Sequence, residues 1–267
     1  MDTKKSVGMS LYFFVSISLF LAGWETISRL RLLNPSLISR PTEIFNVLWK
    51  LLLKASPSNQ SVLLTHIYSS LYRLFYAFLI AAVIGVSLGI LMGRSNKIYW
   101  FFEPLITLAM PIPGIAWAPI FMIWLGFGDP TIITVGVLAS FFPIVYNTTV
   151  GVRSVKKELV WAAQSMGATE KIIFFKVLLP SAAAYIFTGF KLGLARGWRT
   201  IIAVEMIAAS LWGLGFMIFD ARDYLQPSII YGGIIVLAVI YLLIEELVKL
   251  IEKKTIEKWG MIRLESI

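Results

Sequence analysis

The stretch Gly151-Val-Arg-Ser-Val-Lys-Lys-Glu-Leu-Val-Trp-Ala-Ala-Gln-Ser-Met-Gly-Ala-Thr-Glu-Lys-Ile-Ile-Phe-Phe-Lys-Val-Leu-Leu-Pro180 separates two long apolar segments and carries five Lys or Arg. Its pattern predicts a short helix from Lys157 to about Met166. Gly167 suits the position just past a helix end, where the backbone turns left-handed. Thr169 is placed to cap a second short helix carrying Ile172, Ile173 and Phe175, and Pro180 introduces the next long segment. Ala162, Ala163 and Gly167 are compact, so another surface can approach closely. By shape this is a docking element; the plainer alternative is an interfacial helix with no partner.

The flanks of this connector set the fold class. Five charge-free windows approach or reach the roughly 20 residues that cross a bilayer: 6–24, 74–93, 104–128, 130–152 and 224–244. The first is too long for a signal-peptide core and lacks a small-x-small cleavage site, so it reads as a retained span. A sixth segment, 181–210, is apolar on average but contains Lys191, Arg196, Arg199 and Glu205. The chain is 58% apolar and only 15% charged, with a net charge of +9, no Cys and one His. That excludes a disordered chain, a basic nucleic-acid-binding domain, a disulfide scaffold, thiol chemistry and a zinc site. Alternating strands are absent, which argues against a membrane β-barrel.

Charge placement fixes the count and the orientation. With six crossings and both termini in the cytoplasm, 14 of the 24 basic residues fall in cytoplasmic stretches, four lie within spans and six lie outside. Five crossings would put the basic C-terminal tail outside, against the positive-inside rule. The expectation is therefore an all-α integral membrane protein, a single domain over 1–267. Its six spans lie near 8–28, 70–93, 104–126, 131–151, 181–209 and 227–248, with a cytoplasmic loop at 153–180. The basic first outer loop, with Arg29, Arg31, Arg40, Lys50 and Lys54, departs from the rule. Within it, Ile44, Phe45, Leu48, Leu51 and Leu52 share one helical face, opposite Glu43, Asn46, Lys50 and Lys54. This predicts an amphipathic helix in the outer interface.

Three features point to mechanism. Gly85, Gly89 and Gly93, and likewise Gly189, Gly193 and Gly197, recur every four residues, a spacing that lets helices approach closely in lipid. The charged fifth span must then sit inside a bundle. Lys191, Trp198 and Glu205 share a stripe along it, while Arg196 and Arg199 lie off that stripe. Lys191 and Arg196 are placed to snorkel at the cytoplasmic boundary. Glu205 is deeper, as a lining or gating group or as half of a buried pair. Finally, Met110-Pro-Ile-Pro-Gly-Ile-Ala-Trp-Ala-Pro119 holds three prolines and a glycine within 111–119 and cannot form an unbroken helix. Such breaks are tolerated where protein or a water-filled cavity satisfies the backbone and often form transport sites; a structural kink is the plainer reading. Gly126-Phe-Gly-Asp-Pro130 reads as the outer turn that follows.

The connector resembles the docking loop of importer permeases of the ATP-binding-cassette (ABC) class. Their pattern is Glu-Ala-Ala, three residues, Gly, nine residues, then Ile-x-Leu-Pro. Here the same spacing is filled by Trp161-Ala162-Ala163, Gly167 and Val177-Leu178-Leu179-Pro180, with Trp161 for the Glu and Val177 for the Ile. The chain is similar to the branch associated with nitrate, sulfonate, taurine, bicarbonate and vitamin-precursor uptake. The similarity is carried by Ser70-Leu-Tyr-Arg73, Gly89 to Gly93, Pro111-Ile-Pro113, Ala116-Trp-Ala-Pro119, Phe141-Phe-Pro143, Asn147, Thr188-Gly189, Glu205-Met206, Gly213-Leu-Gly215 and Trp259.

The resemblance implies a type I importer permease fold in the cell (inner) membrane. Two permease copies, as a homodimer, would work with a cytoplasmic ATPase dimer and an extracytoplasmic solute-binding protein. ATP and Mg would belong to the ATPase; this chain has no Gly-x-x-x-x-Gly-Lys-Ser/Thr loop, needs no cofactor or metal of its own, and has no nucleic-acid partner. Trp161, Ala162, Ala163, Met166, Gly167 and Ala168 would couple to the ATPase. Pro113, Trp117, Arg199 and Glu205 would line the solute path. A competing class is an ion-coupled secondary carrier with Glu205 as coupling acid, but no inverted repeat supports it. A membrane enzyme is disfavoured by the lone His66 and the lack of clustered Asp and Glu.

Overall fold

A computed structural model describes residues 3–30, 37–55 and 61–258; Arg31 and Trp259 lie outside the described residues. Among these residues the chain is helical, with one isolated bridge between Ala55 and Ser61 and no strand. The long helices are α1 (Thr3–Arg29), α3 (Val62–Arg94), α6 (Asp129–Arg153), α9 (Leu179–Ala208) and α11 (Pro227–Lys258). Between them lie α2 (Pro41–Leu53), α4 (Asn96–Ala109), α5 (Ala118–Leu125), α7 (Lys157–Ser165), α8 (Glu170–Ile173) and α10 (Leu214–Asp223).

Among the described residues three helices are long and apolar enough to cross a bilayer: α3, α6 and the continuous run Glu170–Ala208. The pair Asn96–Ala109 and Gly114–Leu125, bent by 96°, makes a fourth candidate. The windows at either end of the sequence fall in α1 and α11, of 27 and 32 residues. The bundle is organised on α6. Just over half of its apolar window is buried (56%), against 28% for α3 and for the α8–α9 run. The glycine repeats explain why. Gly85, Gly89 and Gly93 of α3 meet Ile144, Thr148 and Val152 of α6, each a turn further on. Gly189, Gly193 and Gly197 of α9 meet Asn147, Ile144 and Ser140 on another face of α6. A side chain at any of these positions would collide, so the two stripes set the helix separations. Leu74, Ala77, Ile132, Val135, Trp198, Ile201, Val204 and Leu214 then fill one core between α3, α6, α9 and α10. Phe75, Val83, Leu108, Ile123 and Trp124 face outward and are more than 60% exposed. Such an outer surface belongs in lipid.

Three expectations are modified, while the third apolar segment is broken as its prolines require. A helix begins at Asn96, capped by Ser95 and interrupted by nothing at Pro104, and it stops at Ala109 where the proline cluster removes donors. A short 3₁₀ turn, Gly114–Trp117, leads into α5. In α2, Ile44 is buried and Leu48, Leu51 and Leu52 pack on the core as periodicity requires, but Phe45 is 67% exposed and stacks on Trp49. The face toward α11 and α3 is narrower than the apolar stripe. Thr169 does occupy the cap position of α8, yet its side chain makes no capping bond. Finally, α8 is not separate from α9. It runs into it through a π turn, Phe174–Leu178, in which Leu179 N–H donates to Phe174 O. Pro180, which has no N–H to give, directly follows, and the wider turn accommodates the helix around it.

Candidate functional site

Among the described residues, two gatherings of charged groups around α9 differ in how their charges are met. The first is a closed network at the α3–α9–α10 junction. His66, Ser70 and Arg73 recur at i, i+4 and i+7, so α3 presents all three on one face. They meet the turn 209–213 and the C-terminal part of α9. Glu205 is completely buried. Its carboxylate accepts from Arg73 Nη1 at 2.6 Å, from the Ser70 hydroxyl at 2.8–2.9 Å and from Gly215 N–H at 2.9 Å. Arg73 also donates to Trp212 O at 2.8 Å and, through Nε, to Asp129 at 2.7 Å. Ser70 Oγ in turn accepts from Leu214 N–H, and His66 Nδ1 lies 3.1 Å from Gly213 N and 2.9 Å from its carbonyl. Gly213 has φ +146°, and a Cβ there would meet Arg73 Nη1 and the Glu205 carboxyl within 2.7 Å. Glycine is therefore required at that position for both backbone and space. Gly128 N–H donates to Ala208 O, which ties the 126–128 turn to the same assembly.

The second place is an open cleft where the proline-broken segment crosses α9. It has a volume of about 300 Å³ and is lined by 110–114 together with Ala139, Phe142, Arg196, Arg199 and Thr200. Gly114 is what lets the break sit so close; a Cβ there would be 2.6 Å from Thr200 Cγ2. Both arginines are exposed. The Arg199 Nε donates to Ala195 O at 3.0 Å, within its own helix. Among the described residues neither arginine has an acidic partner.

The four residues expected on a solute path thus separate. Pro113 and Arg199 line the cleft. Trp117 turns from the break into the main core, half-buried. Glu205 is enclosed by Arg73, not by Arg199, and takes no part in the cleft. The Lys191 ammonium is 3.0 Å from both oxygens of Glu252 on α11. Arg196 shares the cleft with Arg199. The partners Ser70, Arg73, Asp129 and Gly213 carry part of the network without having been paired from sequence. The available signal is the triplet spacing 66, 70, 73 on α3, where Arg73 stands as the one charged residue before Arg94 at the helix end.

The connector has the expected local form. Gly167 has φ +77° with its N–H donating to Gln164 O, and Ala168 N–H reaches Ala163 O. Trp161 (58% exposed) and Met166 (81%) project outward; Ala162 is also exposed, Ala163 is buried and Ala168 is half-buried. α7 therefore offers an exposed aromatic, with an exposed thioether just past its end. Arg94, at the end of α3, pairs with Glu170 at 3.0 Å, so the connector lies at that end of the bundle.

A bundle wrapped on a buried helix, with a broken segment over paired arginines and a helical connector projecting from one end, is the architecture of a membrane transport subunit. Residues 81–257, about two thirds of the chain, match the family model for the inner membrane component of binding-protein-dependent transport systems, and the chain belongs to that family. It is 36% identical to the taurine transport system permease protein TauC of Escherichia coli (strain K12) over 232 residues, 86% of this chain and 83% of the relative. It is 31% identical to the putative aliphatic sulfonates transport permease protein SsuC of Bacillus subtilis (strain 168), over 91% of this chain and 85% of the relative. In fold it resembles the inward-facing methionine ABC transporter MetNI, with a TM-score of 0.65 and 19% identity over 75% of this chain and 99% of that one. The protein is a permease component of an ABC importer, a class of transport subunits and not of enzymes.

Proposed function

We propose that this permease passes a small organosulfonate, or an oxyanion of similar size, through the cleft at the 109–114 break. The observation that carries this reading is the pair Arg196 and Arg199, exposed to the cleft without an acidic partner among the described residues. Guanidinium groups match oxyanions through several N–H donors at once, and an unpaired charge at membrane depth normally serves a pathway. The relatives named for taurine and aliphatic sulfonates favour the sulfonate class. In the working assembly two copies of this chain cross the membrane six times each, with both termini in the cytoplasm. The cytoplasmic ATPase pair holds ATP and Mg, and an extracytoplasmic binding protein delivers the solute. α7 is the contact to the ATPase: Trp161, Ala162, Met166 and Gly167 form its exposed face, while Ala163 and Ala168 anchor it.

The test uses the complete importer in proteoliposomes with taurine as solute. Replacing both Arg196 and Arg199 by Gln is expected to lower ATP-driven uptake at least tenfold while the ATPase still co-purifies. Uptake at the original rate overturns the anion path. Gly167→Val, strained at its positive φ, is expected to weaken ATPase co-purification and uptake together; if both are unaffected, the coupling assignment is wrong.

A further inference from the structure

A second cavity, of about 340 Å³, lies between α4 and α6 at the end of the bundle that carries the connector. It is separate from the Arg196–Arg199 cleft. Two opposite charges line it. Glu103 is half-buried in an apolar helix, and among the described residues the one bond to its carboxylate comes from the Thr107 hydroxyl, at 3.1 Å. Arg153 sits with its guanidinium carbon 4.2 Å from the centre of the Tyr99 ring while Nη1 donates to Asn96 Oδ1 at 3.0 Å. The ring and the amide fix the guanidinium and leave its other N–H groups unused. Glu103 and Arg153 do not pair with each other, and no cation lies within ion-pair distance of Glu103 among the described residues. Tyr99 and Tyr146 supply aromatic walls.

A carboxylate and a guanidinium that line one cavity without pairing are complementary to a molecule with the charges reversed. We propose that this cavity binds a small zwitterion, its ammonium on Glu103 and its anionic group on Arg153. The volume, near the lower end of the range for ligand sites, limits the occupant to a few non-hydrogen atoms between the two charges. Two sources share that chemistry: the headgroup of phosphatidylethanolamine and a free amino-sulfonate such as taurine. Arg153 ends α6, with three residues between it and the start of α7 at Lys157, so an occupant would brace α4 and α6 beside the docking helix.

The proposal does not depend on the anion path, and the experiment needs neither ATP nor a binding protein. The permease–ATPase complex is purified, and retained phosphatidylethanolamine and phosphatidylglycerol are counted by native mass spectrometry. Taurine and ethanesulfonate, which lacks the ammonium, are measured by equilibrium binding. The expected result is retention of phosphatidylethanolamine over phosphatidylglycerol, or taurine binding at least tenfold tighter than ethanesulfonate. Either preference should fall at least tenfold in Glu103→Gln and in Arg153→Gln, and persist in Arg199→Gln. The first preference identifies a lipid occupant and the second a free solute. If the Gln variants do not assemble, Glu103→Asp, which keeps the charge but shortens its reach, is expected to lose the preference severalfold. No preference in the unmodified complex, or the same preference in the variants, overturns the proposal.

Discussion

The Arg73–Glu205 network and the Arg196–Arg199 cleft place charge in the same bundle by opposite means. In the network every formal charge has a partner: Glu205 is met by Arg73, Ser70 and Gly215, and Arg73 by Glu205, Asp129 and Trp212 O. In the cleft two like charges stand one helical turn apart, open to whatever enters. The first arrangement costs desolvation and regains it in geometry, so it specifies structure. The second has no internal compensation and is complementary to an anion. A charge within a span is therefore informative only once its partners are known.

The contrast predicts a graded series. Arg73→Leu leaves Glu205 buried without its cation, and the expected loss is about 3–5 kcal/mol of stability. A fall in the thermal midpoint of the detergent-solubilised complex measures it, with poor assembly at the extreme. Glu205→Gln should be milder, about 1–3 kcal/mol, because Arg73 keeps Asp129 and the Trp212 carbonyl; equal midpoints for these two variants would contradict the asymmetry. If uptake by the folded Glu205→Gln protein equals that of the original, the residue has no part in translocation. Gly213→Ala combines a φ of +146° with a contact on both ion-pair partners and should cost about 1–3 kcal/mol. Arg199→Gln should change the midpoint by no more than about 0.5 kcal/mol while lowering sulfonate uptake. A large drop in its stability would mean that the cleft is structural after all.

The legible parts of this molecule are those written in local pattern. The windows of apolar residues mark the long helices, the two glycine repeats mark the faces of α3 and α9 that meet α6, and the proline cluster marks the break. Gly167 ends α7 as its spacing requires. These are properties of one segment, or of one segment against any partner. Pairings between distant segments were not legible. Lys191 with Glu252 and Arg73 with Glu205 join positions 61 and 132 residues apart, and nothing in periodicity selects one acid over another. The same limit holds at Trp117: its place in the proline-broken segment is legible, but the turn of the 3₁₀ segment that packs it on the core is not. Pro180 misled in a different way. It marks where a helix cannot donate, and the π turn answers that locally without ending the helix.

The π turn has a mechanical consequence. Because it joins α8 to α9, residues 170–208 form one rod of 39 residues, about 58 Å at the usual rise per residue. One end adjoins the Gly167 bend, and the other holds Glu205. Its middle rests on α6 through Gly189, Gly193 and Gly197, side-chain-free points that serve as a fulcrum. A rotation of one degree about that fulcrum moves each tip by about 0.5 Å, in opposite directions. If the rod pivots there as a rigid body, a push of a few ångströms at the connector arrives, inverted, at the turn 209–213.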